Sequence, residues 1–415
     1  MNLMRLSAIA AVVCVAVSAC VAEESKTIDS MDDPALWKTN QQDRITFSAD
    51  PAPKVGQGAL HLDSQVATTF AIVYRLLEPD AGWDDYDGFA FWVKGDGSKH
   101  FGCMRIQAGA WGRAWLGNFP LKDTEWHEVK LAWKDLTPSD AATPELGDAE
   151  GFKPGNINLV AFGKSWNFST RHERPKLAFS IDELRLVKGI KSNRPRRKIA
   201  SFPPLATVVR KMKAGDAVTI LALGDSLTWG TSAGGNSFAY PAVLGDMLRK
   251  HYRNDKISIV NRAIGGSTTA KGRQWLNRDV RGVEADLITI LFGFNEMARK
   301  PEDRASRTKA FTRNIVNYAE EVAGVMKRAP ACLVIATVPG RRSHWETLDC
   351  YAEGLRELGR KHPNLAVADA NAYFKAMGQE KYASLMADEA HPGKQGQREM
   401  AKVLFRTITG EEPPE

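Results

Sequence analysis

The sequence has few cysteines and no long apolar segment. Its 415 residues include five cysteines, two of which lie within the first twenty residues. The other three, Cys103, Cys332 and Cys350, are an odd number, which argues against a disulfide framework. We therefore predict three free and mostly buried thiols. The longest apolar run, residues 6–19, is too short to span a bilayer, so a membrane-spanning helix is not expected.

The first 22 residues have the pattern of an export signal. One basic residue, Arg5, precedes the apolar run, which ends in Val17-Ser18-Ala19-Cys20. This ending resembles the lipobox of bacterial lipoproteins, in which the cysteine is lipidated and becomes the new N-terminus. Cleavage after Ala19 or Ala22 without lipidation is the alternative. We predict a signal peptide over residues 1–22 and an exported protein, either lipid-anchored to the bacterial cell envelope through Cys20 or secreted.

The charge balance is basic, and one short segment holds much of the excess. Lys and Arg number 56 against 49 Asp and Glu. Five of the positive charges lie in KSNRPRRK, residues 191–198. Such a run can bind nucleic acid, but we expect no nucleic-acid partner for an exported protein. We interpret residues 191–204 as a solvated basic linker between two domains.

Residues 24–190 have the pattern of an antiparallel β-sandwich. Short segments rich in β-branched and aromatic residues, such as GFAFWVKGDG (88–97) and LAFSIDELRLV (177–187), are separated by Gly, Asp, Asn and Pro. No stretch repeats convincingly at the helical period. These intervals predict an all-β sandwich as the N-terminal domain.

Residues 205–415 alternate apolar strands with amphipathic helices. Examples of the strands are AVTILAL (217–223), DLITILFG (286–293) and CLVIATV (332–338). This alternation predicts an α/β domain with a parallel sheet that helices cover on both faces. Functional residues of such sheets lie at the carboxyl ends of the strands.

Four short blocks at these strand ends carry the residue types that serine-dependent ester hydrolysis needs. They are Gly224-Asp225-Ser226, a loop that ends at Gly266, Asn295, and a final loop with Asp388 and His391. A serine hydroxyl becomes a nucleophile when a neighbouring imidazole accepts its proton, and an acid can fix the tautomer of that imidazole. Two backbone N–H groups and an amide side chain can stabilise the resulting oxyanion. Any one block alone is typical of a turn or a helix cap, but the four together predict a catalytic site.

In this order the four blocks resemble the SGNH, or GDSL, hydrolase superfamily over residues 203–410. The resemblance implies a three-layer, flavodoxin-like α/β fold and catalysis without a metal or an organic cofactor. The roles that it implies are a triad of Ser226, Asp388 and His391, and an oxyanion hole of Ser226, Gly266 and Asn295.

Two details of the blocks leave questions open. Gly265 replaces Gly266 as the oxyanion donor if the register of the loop differs. The third block of the superfamily is usually Gly-x-Asn-Asp, whereas here Glu296 follows Asn295. Because Asn295 is the expected donor, we expect activity to survive this change, although the longer acid can alter how the loop packs.

The N-terminal segments GFAFWVKGDGS, EWHEVKLAWKDL and FSIDELRLV resemble the galactose-binding-like jelly roll, in particular modules of the complex I intermediate-associated type and related carbohydrate-binding modules. The resemblance implies that Trp111, Trp115 and Trp166 stack on sugar rings. The alternative is that these rings fill the core of the sandwich. Asp182 lies where such modules often bind a structural calcium ion, and we expect no other metal.

These features predict an exported serine ester hydrolase that works through an acyl-enzyme. An acylated glycan or a small ester is the expected substrate, and polysaccharide O-acetylesterase is the expected activity. The alternatives are a lipase or thioesterase of the same fold and a non-catalytic glycan-binding lipoprotein. We expect residues 206–415 to act alone on small esters while the sandwich tethers them to a polymer. The alternative is that the sandwich packs on the catalytic domain and shapes its cleft.

Overall fold

The computed structural model describes residues 24–414 except 65, 67–69, 110–112, 141–142, 147–152, 165–174 and 298–299. The predicted signal peptide with Cys20 lies outside these residues, as do Trp111 and Trp166. Within the described part of the chain, no helix is long and apolar enough to cross a membrane.

The first half of the chain forms two antiparallel sheets. Their strands are β1 (Ser25–Asp29), β2 (Thr46–Asp50), β3 (Ala59–Asp63), β4 (Ala71–Leu76), β5 (Gly88–Lys94), β6 (Phe101–Ala108), β7 (Ala114–Pro120), β8 (His127–Ala132), β9 (Thr137–Pro138), β10 (Ile157–Lys164) and β11 (Ala178–Val187). One sheet has the order β2-β3-β11-β5-β8, with β1 beside β11, and the other has the order β4-β10-β6-β7-β9. The predicted all-β jelly-roll sandwich is confirmed.

Alternate side chains of the strands meet between the two sheets. Phe89, Phe91 and Val93 of β5 point inward and are fully buried. Trp115 of β7 is also fully buried in this core, and its indole N–H donates to the carbonyl oxygen of Pro144 at 2.8 Å. Because no face of this ring reaches the surface, the prediction that Trp115 stacks on a sugar is wrong.

The basic segment after β11 packs against the second domain. Arg194 is 7% exposed, and Arg196 donates a hydrogen bond of 2.9 Å to Glu321. Lys198 pairs with Glu320 at 3.2 Å. Lys191, Arg196 and Lys198 are nevertheless exposed, so the prediction of a solvated linker is wrong for Arg194 and not for these three residues.

The second half of the chain is built on five parallel strands, β12 (Val218–Gly224), β13 (Ile257–Asn261), β14 (Leu287–Leu291), β15 (Ala331–Ala336) and β16 (Leu365–Asp369). Its helices are α1 (Leu205–Lys213), α2 (Ser226–Trp229), α3 (Tyr240–Tyr252), α4 (Thr269–Gln274), α5 (Leu276–Asp279), α6 (Arg304–Gly324), α7 (Trp345–Lys361), α8 (Ala370–Ala376), α9 (Gln379–Ser384) and α10 (Lys394–Thr409). The strand order is β13-β12-β14-β15-β16, the doubly wound order of flavodoxin-like folds. This confirms the predicted α/β fold. β13 lies on one side of β12, and the later strands lie on the other side. The carboxyl end of β12 is therefore the topological switch point, where ligands bind in such folds.

The two faces of the parallel sheet belong to separate cores. Ile220 and Leu333 pack on the side of α3 and α10, whereas Leu221 and Val334 pack on the side of α6 and α7. Adjacent residues of one strand therefore enter opposite cores, which explains why these strands are apolar throughout. Cys332, a free thiol as predicted, is buried in the second core.

An apolar contact joins the two domains beside α4. Cys103 and Leu116 of the sandwich form a cluster with Ile264 and Trp275 of the second domain, and all four are at least 94% buried. Ile264 lies directly before the Gly265-Gly266 loop. The sandwich therefore packs against the loop that was predicted to contribute to the oxyanion hole.

Polar contacts surround this apolar cluster. The Asn118 side chain donates to the carbonyl oxygen of Gln274 at 2.5 Å, and the Gln274 amide donates to the carbonyl oxygen of Pro138 at 2.9 Å. Arg273 is fully buried and pairs with Glu145 of the sandwich and with Glu321 of α6. The described residues of the interface are thus held by both packing and ion pairs.

Candidate active site

Ser226 lies at the turn between β12 and α2. Asp225 Oδ1 accepts a hydrogen bond of 2.9 Å from the Leu227 N–H and caps the helix. A Cβ atom at Gly224 would lie 2.2 Å from Thr228 Oγ1 and 2.6 Å from the carbonyl oxygen of Leu291, so only glycine allows this close approach. The sharp turn exposes the serine at the switch point of the sheet.

Ser226, His391 and Asp388 form a continuous hydrogen-bonded chain. His391 Nε2 lies 2.9 Å from Ser226 Oγ. His391 Nδ1 lies 2.9 Å from Asp388 Oδ2 and 3.0 Å from Asp388 Oδ1. This arrangement places a base beside the hydroxyl and an acid behind the base, which is the geometry of a serine hydrolase triad.

The loop that carries Asp388 and His391 is held by its own backbone. The Ala387 N–H donates to the carbonyl oxygen of His391 at 2.8 Å, and Asp388 Oδ1 accepts from the N–H groups of Ala390 and His391 at 2.8 and 2.7 Å. Partial burial acts to raise the pKa of Asp388, but these N–H groups and the His391 ring outweigh it and lower that pKa. The acid therefore stays ionised and can stabilise an imidazolium.

Gly266 lies in a tight turn next to the serine. The Ser267 N–H donates to the carbonyl oxygen of Ile264 at 3.2 Å, and Gly266 has a φ of 70°. A positive φ at the third position of such a turn favours glycine. The hydrogen bond of the turn uses the N–H of Ser267. The N–H of Gly266, in the central peptide of the turn, is not part of this bond. Gly265 occupies the preceding turn position.

The side chain of Asn295 joins this turn to the serine block. Its amide nitrogen donates to the carbonyl oxygen of Ser267 at 2.9 Å and lies 3.4 Å from Asp225 Oδ2. The structure thus brings Ser226, Gly266, Asn295 and the His391 loop together at one edge of the sheet, as the sequence predicted.

Two buried carboxyl groups underlie the site. Asp225 is fully buried, and burial raises its pKa to about 8, with a further contribution from the nearby charge of Glu296. Burial likewise raises the pKa of Glu296 to about 7. A protonated Asp225 avoids placing a negative charge beside the position where an oxyanion develops.

Sequence reasoning missed two residues that support the site. Gln397 of α10 donates to the carbonyl oxygen of Leu227 at 3.1 Å and accepts from the Tyr240 N–H at 2.8 Å, so it ties α10 to the serine turn. A single glutamine in a helix gives no signal of this role. Glu296 was noticed only as a departure from a motif, yet it is 5% exposed and its side chain accepts three hydrogen bonds.

Asp182 is fully buried, and only one of its carboxylate oxygens has hydrogen-bond partners among the described residues. Asp182 Oδ2 accepts hydrogen bonds from the N–H groups of Lys54 and Val55 at 2.7 and 2.8 Å. The other oxygen, Oδ1, is buried without a hydrogen-bond partner among the described residues, so the calcium ion at Asp182 stays a prediction. In the part of the chain that the structure describes, no three His, Cys, Asp or Glu side chains gather into a metal site.

A cleft of about 450 Å³ opens beside the triad. Asp388 forms part of its wall, together with the half-buried ring of Trp345, Tyr382, Met386 and Arg341. Its lining combines aromatic and apolar surface with a few charged groups, as is typical of small-molecule sites.

Family comparisons agree with this geometry. Residues 222–399 match the GDSL-like lipase/acylhydrolase family. This match spans the segments that carry Ser226, Gly266, Asn295, Asp388 and His391. Residues 48–178 match the complex I intermediate-associated protein 30 family, which agrees with the jelly-roll sandwich. The protein is therefore a two-domain SGNH-type serine esterase.

Individual relatives are similar to about half of the chain. An acetylxylan esterase of Geobacillus stearothermophilus is 26% identical over 216 residues, which are 48% of this chain and 96% of the relative. The solved structure of an acetylxylan esterase from that organism has a TM-score of 0.41 at 20% identity and covers 48% of this chain and 97% of its own. A solved two-domain esterase active on acetylated mannans has a TM-score of 0.39 at 21% identity and covers 52% of this chain and 57% of its own.

Proposed function

We propose that the protein is a carbohydrate O-acetylesterase that works through an acyl-enzyme on Ser226. The observation that carries the esterase mechanism is the contact of 2.9 Å between His391 Nε2 and Ser226 Oγ, with Asp388 behind the ring. The similarity of the catalytic domain to an acetylxylan esterase supports acetylated carbohydrate as the substrate class.

The chemistry follows from the positions of the three side chains. Ser226 Oγ attacks the ester carbonyl carbon while His391 Nε2 accepts its proton, and the tetrahedral oxyanion accepts hydrogen bonds from the N–H groups of Ser226 and Gly266 and from Asn295. The ester C–O bond then breaks, and His391 gives the proton to the departing sugar oxygen. A water molecule, deprotonated by His391, attacks the acyl-enzyme and releases acetate and free Ser226.

The cleft beside the triad supports a sugar rather than a long acyl chain. The guanidinium of Arg342 lies 4.3 Å from the centroid of the Trp345 ring, and the Trp345 indole N–H donates to the carbonyl oxygen of Gly340 at 3.1 Å. Lys375 Nζ lies 5.1 Å from the same centroid, so two cations lie over this ring and give the wall of the cleft a polar character that suits a sugar. A lipase or thioesterase would need a long apolar channel instead.

Hydrolysis of p-nitrophenyl esters tests this choice. We expect kcat/KM for the acetate to exceed that for the octanoate by about tenfold or more, because a short acyl site rejects the longer chain. A preference for octanoate would identify a lipase. Trp345→Ala should raise KM for acetylated xylo-oligosaccharides and leave KM for p-nitrophenyl acetate unchanged, whereas equal KM changes on both substrates would remove Trp345 from the sugar site.

We propose further that the protein is exported and lipid-anchored through Cys20. The sequence Val17-Ser18-Ala19-Cys20 after an apolar run supports this proposal. Incorporation of labelled palmitate in a bacterial host, lost in Cys20→Ala, tests it. Secretion of the unlabelled protein into the medium would indicate ordinary cleavage instead.

A further inference from the structure

We propose that Glu296 is a positioning residue that fixes the distance between the Gly266 turn and Asn295, and thereby the geometry of the oxyanion hole. This inference rests on the proposed esterase function. It assigns a role to the residue at which the third block departs from the usual Gly-x-Asn-Asp.

The two oxygens of the Glu296 carboxylate bind different loops. Oε1 accepts hydrogen bonds from the N–H of Thr269 at 2.6 Å and from its hydroxyl at 2.5 Å. Oε2 accepts from the N–H of Gly293 at 2.9 Å. Thr269 begins α4, three residues after Gly266, and Gly293 lies two residues before Asn295. The Glu296 side chain therefore links the segment that follows Gly266 to the segment that precedes Asn295.

The backbone of Glu296 is anchored as well. The Tyr351 hydroxyl donates to the carbonyl oxygen of Glu296 at 2.7 Å, and Glu296 is 5% exposed. A buried carboxylate with three donors around it has no alternative partners in water, so each donor is held in place. The residue is thus a fixed support rather than a mobile surface acid.

The length of the side chain matters for this link. An aspartate at position 296 is one methylene shorter, so with this backbone it cannot keep all three contacts at hydrogen-bond distance. An oxyanion hole works only when its donors are aimed at the developing charge in advance. A change that moves Gly266 relative to Asn295 should therefore slow the chemical step more than it weakens substrate binding.

Three variants test the proposal. Glu296→Gln keeps the size of the side chain but places an NH₂ group against one of the donors. Glu296→Asp keeps the carboxyl group but shortens the side chain. Thr269→Val removes only the hydroxyl donor. Glu320→Gln is the matched control. Like Glu296, Glu320 is 5% exposed and accepts a hydrogen bond from a backbone N–H that is distant in sequence, that of Ile199. The substrate is p-nitrophenyl acetate, and active sites are counted by stoichiometric reaction with diethyl p-nitrophenyl phosphate.

We expect Glu296→Gln to lower kcat per active site by about 10²-fold, within the range for loss of one oxyanion donor, with KM changed little. The loss of kcat should be smaller in Glu296→Asp than in Glu296→Gln. Thr269→Val should lower kcat several-fold, roughly the effect of one weakened hydrogen bond. Glu320→Gln should keep the wild-type kcat per active site.

The proposal is overturned if the Glu296 variants keep the wild-type kcat per active site, or if KM rises while kcat is unchanged. A loss of kcat in Glu320→Gln equal to that in Glu296→Gln would also overturn it, since the effect would then be general destabilisation. If Glu296→Gln does not fold, Glu296→Asp and Thr269→Val decide by the same criteria. Absence of hydrolysis by the wild-type protein would instead refute the proposed function.

Discussion

Arg273 of the catalytic domain and Glu145 of the sandwich form a bidentate ion pair. Arg273 Nη1 and Nη2 donate to the two oxygens of Glu145 at 2.6 and 3.1 Å. Burial acts to raise the pKa of Glu145, but the charge of Arg273 outweighs it and lowers that pKa, so the acid is ionised in the folded protein. The pair joins the sandwich to α4, the helix that follows the Gly266 turn.

Removing the acid of this pair should destabilise the whole protein. In Glu145→Ala, Arg273 keeps Glu321 as a partner but loses two charge-assisted hydrogen bonds, so we expect the free energy of unfolding to fall by about 2 kcal/mol. Urea denaturation measures the change. Glu24→Gln is the control, because the Glu24–Lys188 pair is exposed and should contribute little. Equal stability of Glu145→Ala and the wild type would contradict a stabilising interface.

Deletion of residues 24–190 separates tethering from a structural role. The deletion exposes Ile264 and Trp275 and removes Glu145, one of the two partners of Arg273, so we expect the remaining domain to lose kcat on p-nitrophenyl acetate as well as activity on polymers. A truncated enzyme with full activity on the small ester would support tethering alone.

Asn295→Ala tests the oxyanion hole. Loss of one donor should lower kcat by roughly 10²–10³-fold and leave KM almost unchanged, because the amide acts mainly when negative charge develops. Steady-state kinetics with p-nitrophenyl acetate measure both constants. If KM rises while kcat stays the same, Asn295 binds the substrate instead.

The raised pKa of Asp225 predicts a pH dependence of stability. Its pKa is about 8 in the folded protein, well above the ordinary aspartate value of 3.8, so the folded state holds a proton that the unfolded state releases. The free energy of unfolding should therefore fall as pH rises from about 4 to 8, by roughly 1.4 kcal/mol per pH unit from this group. Asp225→Asn cannot release this proton and should show a flatter profile in urea denaturation between pH 5 and pH 9. Parallel profiles for the two proteins would show that Asp225 does not hold the proton.

The sequence was sufficient for the parts of the site that local patterns define. Ser226 follows an apolar strand, and the four residues from Asp388 to His391 lie in one loop, so both could be placed from spacing alone. The parallel sheet followed in the same way from alternating strands and helices. The support from Gln397 and Glu296 depends on contacts between distant segments, which no local pattern reveals.

Burial of individual side chains was the weakest part of the prediction. Trp115 was expected to stack on a sugar because of the resemblance to carbohydrate-binding modules, but its ring lies in the core between the sheets, in one cluster with Phe91 and Phe179 of the opposite sheet. Arg194 lies in a strongly basic run that is typical of a solvated linker, but α6 supplies Glu321 against it at 3.9 Å. In both cases tertiary partners that are far away in sequence decided the outcome.

Acetate release from acetylated polysaccharides tests the central claim most directly. The wild-type protein and Ser226→Ala are incubated with acetylated xylan, acetylated mannan and their chemically deacetylated forms, and free acetate is measured. We predict that the wild type releases acetate from at least one acetylated polymer and that Ser226→Ala, which folds with the same melting temperature, releases none above background. Acetate release by Ser226→Ala at the wild-type rate, or none by the wild type while it hydrolyses long-chain esters, would contradict the account.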